Sequence, residues 1–425
     1  MTHFGIICPS GSHLNPMTTL GYELQRRGHR VTVVGILDAE KKVHSVGLEF
    51  KAIALSEYPY GSVAQFYDNL SKLSGLAALR YTINYLQKST VTLLQQAPQT
   101  VKNAGIEALL VDQVSSAGGT VADYLDIPFI SVSAALMINE DVSVPPFNTS
   151  WNYDRAWWGQ IRNRIGYRLL RQARKPIRET VAEYRREWNL PPHHSQDDVY
   201  STLAQLCQQP AEFEFPRENL PGCFHFTGAY HNLASRAKVE FPFEKLTGQP
   251  LIYASMGTIQ NRLIGAFETI AQACEKLDAQ LVISLGGGTS LESMPKLPGS
   301  PLVVGNAPQL ELLQRASLTI TPAGLNTVLE SISHGVPMVA IPIANDQPGV
   351  AARIAWTGCG EMIKLSKLNA PQLRSSIERV LTQASYRDNV LRLQTANQQA
   401  GGVTKAADII ERVMSTGKPV LAGSN

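Results

Sequence analysis

Apolar residues in this chain fall either in short unbroken runs or in longer stretches where they recur every three to four positions. Those are the signatures of buried strands and amphipathic helices. HFGIICPS at the amino terminus runs apolar and stops at Pro-Ser-Gly, which predicts a buried strand and a turn. MTTLGYELQRRGHR follows with Leu20 and Leu24 at helical spacing and ends at Gly28, a residue suited to a left-handed helix end. VTVVGI is the next strand, and strand, helix and strand in succession make a βαβ unit. The pattern returns at ALLVD (108–112), a helical stretch to Tyr124, and PFISVSA (128–134).

Around residues 230 to 250 the texture turns polar and turn-rich, in YHNLASRAKVEFPFEKLTGQP. The earlier grammar then restarts with PLIYASMGT, the helix FETIAQACEKL, QLVISLGGG, PLVVGN, a helix ending near Arg315, LTITPAG, the helix NTVLESISHG, and PMVAIPI. We therefore expect an α/β protein of two facing Rossmann-like domains, residues 1–230 and 250–402, joined by a linker at 231–249. Such halves place a cleft between the carboxyl ends of both sheets. The closing segment 403–425, with its helix AADIIERVM, is long enough to reach back across that cleft.

Bulk properties narrow the class. A chain of 425 residues exceeds one ordinary core. Its five cysteines are scattered without a CxxC pair, which argues against a disulfide framework or a zinc site and fits a reducing cytosol. No basic-then-apolar leader opens the sequence and no apolar run is long enough to span a bilayer. The net charge of +3 is too small to suggest a nucleic-acid partner. That charge is uneven: residues 154 to 187 hold ten Lys/Arg against four Asp/Glu, and four of the five tryptophans fall between 151 and 188.

Candidate chemistry sits at the predicted strand ends. His13, in GSHLNP after the first strand, has the titration range of a general base, although a surface or helix-capping histidine is the plainer alternative. Asp112 ends ALLVD at the same sheet edge, where a carboxylate can fix the imidazole tautomer; its plainer role is to cap the next helix. In the second half TPAGLNT links a strand to a helix, so the backbone amides from Gly324 onward form an anion site, with Asn326 and Thr327 as added donors. Glu330, one turn on, suits a ribose diol, although simple solvation of the helix is the plainer alternative. Asp346 and Gln347 follow PMVAIPI, where an acid and an amide can read sugar hydroxyls.

Taken together, GSHLNP with RGHRVTVV, YASMGT, NAPQ, GLNTVLESISHGVPMVAIP and DQPGVAARI resemble the UDP-glycosyltransferases, glycosyltransferase family one. Within that family the chain is most similar to bacterial carotenoid (zeaxanthin-type) glucosyltransferases. The resemblance implies the GT-B fold and inverting transfer from a UDP-sugar, glucose above all, with no metal or other cofactor. It assigns His13 as base and Asp112 as its supporting carboxylate. Ala307 and Gln309 fall at the base and ribose, Glu330 at the ribose, Ser255, Thr258, Asn326 and Thr327 near the diphosphate, and Asp346 and Gln347 on the donor sugar. The acceptor it implies is a hydrophobic alcohol or phenol: a carotenoid, terpenoid or polyphenol.

Several residues depart from the family pattern. Asn306 stands where many plant members carry a tryptophan on the uracil, and Ser12 replaces the glycine before the histidine. Pro322 replaces a histidine that bonds the diphosphate, and Ala323 the glycine after it. We expect Pro322 in the first turn of the helix with Thr321 as its N-cap, a position where proline is tolerated. The donor site is then weakened or re-anchored. Two other functions fit parts of this pattern: a nucleotide-sugar epimerase of similar architecture, and a catalytically silent nucleotide-sugar binder. The basic, Trp-rich segment 151–188 reads either as a helix on an anionic membrane surface or as one packed beside the acceptor pocket.

Overall fold

The computed structural model describes residues 1–73, 75–232, 236, 238–257, 264–287 and 291–423. The first half builds a sheet from β1 (His3–Ile7), β2 (Arg30–Gly35), β3 (Glu49–Ala52), β4 (Ala108–Asp112), β5 (Phe129–Ser133), β6 (Gln205–Cys207) and β7 (Phe224–Phe226). Its order is β3-β2-β1-β4-β5-β6-β7, and every neighbouring pair is parallel. The second half uses β8 (Leu251–Ser255), β9 (Gln280–Ser284), β10 (Leu302–Val304), β11 (Ala316–Thr321), β12 (Met338–Ala340) and β13 (Gly360–Met362). Its order, β10-β9-β8-β11-β12-β13, repeats the winding of the first. β1 and β4 are buried along their whole length, as parallel strands covered on both faces must be.

Helices α1 (Leu14–Arg26), α2 (Glu40–Ser45), α3 (Ser62–Ser71), α4 (Gly75–Ala104), α5 (Gly118–Leu125), α6 (Trp157–Ala173) and α7 (Lys175–Glu187) belong to the first half. The second half carries α8 (Ile264–Cys274), α9 (Gln309–Leu313), α10 (Leu325–Ser333), α11 (Gln347–Thr357), α12 (Ala370–Thr382), α13 (Ala384–Gln399) and α14 (Gly402–Thr416). Among the described residues none is long and apolar enough to cross a membrane. Gly28 takes a positive φ of 90° just past α1, which ends that helix as its sequence predicts. Gly21 sets how closely α1 lies on the sheet: a Cβ there would sit 2.9 Å from both Ile6 Cδ1 and Leu48 Cδ1.

Three of the apolar cores show how the halves and the cleft between them are held. The first joins Phe4, Ile6 and Leu20 to Ala406, Ile410 and Val413, so α14 returns from the second half to pack on α1. Arg27 tightens that return by bonding Asp408 and Glu411, each at 2.7 Å. The second core surrounds Ile252, Phe267 and Ile320. The third crosses the interface, placing Leu136 and Phe213 against Leu325, Val350 and Ile354. At its edge Gly349 meets Phe147 so closely that a Cβ would lie 2.0 Å from the Phe147 carbonyl oxygen.

Candidate functional site

In each sheet the winding reverses between two adjacent strands, β1 and β4 in the first and β8 and β11 in the second. Loops leaving the carboxyl ends of such a pair open into a crevice. His13 follows β1 at the N-cap position of α1, and its ring caps nothing there. Its Nδ1 instead lies 2.8 Å from Asp112 Oδ2 at the end of β4. The Asp112 side chain is fully buried, whereas His13 keeps 21% exposure, so the carboxylate backs an imidazole that can still be reached. The other oxygen, Asp112 Oδ1, accepts the Val114 N–H at 2.9 Å. Asp112 does not cap α5, whose N-cap is Ala117. Burial works against the charged imidazolium, but the charge and hydrogen bond of Asp112 and the charge of Asp346 outweigh it, and the His13 pKa is raised.

The donor-side loop departs from expectation. Pro322 is not in the first helical turn and Thr321 is not the N-cap: Thr321 ends β11, and α10 starts at Leu325 with Gly324 as N-cap. The chain gains the extra length by putting Ala323 in the left-handed region, at φ 66°, its N–H donated to Thr321 Oγ1 at 3.2 Å. No side chain caps α10. Its first-turn amides therefore point out of the helix end without a built-in acceptor, as an anion site requires. Pro322 is buried against the neighbouring loop, its Cγ 3.4 Å from where a Cβ on Gly257 would stand. Ser255 ends β8, and its Oγ accepts the Gly257 N–H at 3.3 Å. Thr258 lies outside the described residues.

Asn326 connects the two sides. Its Nδ2 donates to the Ser12 carbonyl at 2.8 Å, one residue before His13, and its Oδ1 accepts from Gln208 Nε2 at 2.8 Å. The imidazole and the helix N-terminus are thus held together across the interdomain crevice. Deeper along α10, Glu330 is almost fully buried with both carboxylate oxygens engaged: Oε1 by Arg236 and Oε2 by Gln309 Nε2. Gln309 Nε2 also reaches Thr327 Oγ1 at 3.3 Å, while its Oε1 accepts from Tyr253. Ala307 packs on the apolar cluster of Tyr253 and Leu312. The structure therefore brings Gln309, Thr327 and Glu330 into one network, and shows Glu330 already partnered rather than open.

Asp346 is the N-cap of α11, and its Oδ2 accepts the Leu136 N–H of the first half at 3.2 Å. Burial raises its pKa, in part offset by that N–H and by His13. Gln347 Oε1 takes the Ile343 and Ala344 N–H groups at 2.9 and 3.0 Å, which leaves its amide hydrogens for a ligand. Among the described residues no group of three or more His, Cys, Asp or Glu could hold a metal ion.

Three contributors carry no motif. Gln208 and Arg236 reach the site from irregular segments. The third is an ion pair: Glu214 of the first half binds Arg353 of α11 through two hydrogen bonds, Arg353 being fully buried. Burial alone would raise the Glu214 carboxyl, but Arg353 and Arg217 outweigh it and hold it below the usual range. The signal for this pair is a lone arginine in the apolar run GVAARIAW, since a buried charge needs a partner.

Comparison with known proteins bears on this geometry. The sequence model described as UDP-glucoronosyl and UDP-glucosyl transferase matches residues 6–414. A zeaxanthin glucosyltransferase from Pantoea ananas is 34% identical, the alignment covering 100% of this chain and 99% of that protein. Another, from Pseudescherichia vulneris, is 32% identical over 99% of this chain and 100% of its own length. Among solved structures, the glycotransferase of kitacinnamycin superposes with a TM-score of 0.76 at 21% identity, covering 97% of this chain and 98% of that one. That likeness establishes the fold, two parallel sheets in the GT-B arrangement.

Proposed function

The chain belongs to the UDP-glucoronosyl and UDP-glucosyl transferase family and is a UDP-sugar-dependent glycosyltransferase; from that premise we propose that it transfers glucose from UDP-glucose, with inversion and without a metal, to a hydroxyl of a hydrophobic acceptor. Nδ1–H of His13 donates to Asp112, so Nε2 is the free base. Nε2 takes the proton of the acceptor hydroxyl as that oxygen bonds to the anomeric carbon. The bond from that carbon to the diphosphate breaks, and its electron pair leaves with UDP. One displacement inverts the anomeric centre. The uncapped amides of α10 stabilise the charge growing on the diphosphate, the work a metal does elsewhere. The ribose hydroxyls bind Glu330 and Gln309 by displacing their present partners, Arg236 and Thr327 among them, and Asp346 and Gln347 take the sugar hydroxyls.

The observation that carries this reading is the bond from Asn326, on the donor helix, to the Ser12 carbonyl beside His13. It supports a base and an anion site that act on one bound molecule. For the acceptor, the activity for which the two relatives are named points to a carotenoid alcohol. Tyr58, Phe66, Tyr81 and Tyr85 make ring contacts with one another, and we assign this aromatic cluster of the first half to the acceptor side. Asp38, which follows β2, fastens the start of α3 by accepting from the Gly61 and Val63 N–H groups, at the same sheet edge as His13. The enzyme works in the cytoplasm, at a membrane that dissolves such an acceptor; five free, buried cysteines accord with a reducing compartment.

UDP release, measured over a panel of hydroxylated carotenoids, terpenoids and phenols with several nucleotide sugars, tests the proposal. Release that requires both UDP-glucose and one acceptor class supports it. Conversion of UDP-glucose alone to an epimer, or nucleotide binding with no turnover, replaces it with the epimerase or the silent binder.

A further inference from the structure

Among the described residues, helix α6 presents a face that no other part of the chain covers. Gly159, Asn163 and Tyr167, four residues apart, form its buried side. The side turned away carries Trp157, Ile161, Ile165 and Leu169, again four apart, with 68%, 43%, 56% and 66% exposure, and Trp158 at 58%. A soluble protein rarely lines up five large apolar side chains this way without a partner. The charge on the helix identifies the partner. Arg162, Arg164, Arg168 and Arg171 are its charged residues, and it holds no acid. Arg164 and Arg168 are themselves exposed beside the apolar ridge.

From this arrangement we infer that α6 docks the enzyme on a bilayer containing anionic lipid, with the tryptophans and aliphatic ridge entering the headgroup boundary and the exposed Arg164 and Arg168 on lipid phosphates. A neutral protein groove would complement the ridge but not a row of arginines. The docking face is built rather than loosely attached. Asn163 Nδ2 donates to the Val142 carbonyl at 3.0 Å, Arg171 binds Glu140, and Trp158 Nε1 is held by Asp154 at 2.8 Å. The segment under α6 also supplies Leu136 to Asp346 and Phe147 to Gly349. A lipid-dissolved acceptor leaving the bilayer at α6 therefore enters beside the donor-sugar loop.

Flotation of the full chain with vesicles tests this without any substrate, so its outcome is separate from the acceptor assignment. The protein should float with phosphatidylcholine vesicles that contain phosphatidylglycerol and remain behind with phosphatidylcholine alone. Arg164→Gln with Arg168→Gln should weaken the partition about tenfold or more, as should added salt. Ile165→Ser with Leu169→Ser should abolish it. Both double variants alter exposed residues, and a thermal unfolding midpoint equal to the parent's shows that they fold. No flotation, or flotation indifferent to phosphatidylglycerol and to both variants, overturns the inference. Concentration-dependent dimerisation lost in Ile165→Ser with Leu169→Ser would instead make the face a contact between two copies.

Discussion

Replacing Asp112 with asparagine removes one charge and almost no volume, and the surrounding bonds decide how the new amide sits. Asp112 Oδ1 accepts the Val114 N–H, so the asparagine keeps its carbonyl there and turns its NH2 toward His13 Nδ1. Nδ1 must then act as acceptor, which puts the proton on Nε2 and removes the base. The lost electrostatic support is also large: a charge pair about 4 Å apart at an effective dielectric near 20 interacts by about 4 kcal/mol. That is about three decades of rate, and a wrong tautomer costs about as much, so kcat should fall by about 10³- to 10⁴-fold. The pH profile gives an independent readout. His13 must be neutral to act, and its raised pKa puts the acid limb of kcat/KM above the ordinary histidine range. In Asp112→Asn burial is opposed only by the more minor charge of Asp346, and the limb should move down from the parent's. Stability has the opposite sign: protonated His13 favours the fold, a contribution complete below its unfolded pKa and lost as pH rises through the raised value. Steady-state UDP release from about pH 5 to 9 spans both limbs. An Asp112→Asn enzyme within tenfold of the parent, with an unmoved acid limb, would refute the reasoning.

Further outcomes follow from other parts of the structure. Pro322→His should restore a donor to the diphosphate, worth about 1.5–3 kcal/mol, and tighten UDP binding about 10- to 100-fold by calorimetry; equal or weaker binding counts against that anchor. Glu214→Gln leaves Arg353 buried without its counter-charge and should lower stability by about 3–5 kcal/mol in urea titration, with donor KM raised because α11 carries Asp346 and Gln347; an unchanged midpoint contradicts it. Ile410→Ala removes a fully buried side chain where α14 meets the first core and should cost about 2–5 kcal/mol in the same titration; a loss below about 1 kcal/mol would mean that α14 does not support that core.

Much of the architecture was legible because parallel strands buried on both faces read as plain apolar runs. ALLVD and PLIYASMGT announce themselves without knowledge of their neighbours. His13 and Asp112 could be paired in advance because both leave the carboxyl ends of strands that the winding makes adjacent. The start of α10 differs from its sequence signal for a local reason: its N-cap is a glycine, and Thr321-Pro322 imitates a cap followed by a first-turn proline. The contacts that join the halves were not legible at all. Gln208 and Asn326 lie 118 residues apart in the chain, and Arg236 reaches Glu330 from a polar segment with no periodicity. Such bonds depend on how two domains face each other, which local pattern does not encode.

The most direct measurement compares His13→Ala with the parent in two assays on the same preparation, UDP binding by calorimetry and acceptor-dependent UDP release. Nucleotide affinity should stay within about twofold and release should fall by at least about 10²-fold, the ordinary contribution of a positioned base. Release undiminished at equal UDP affinity would contradict it.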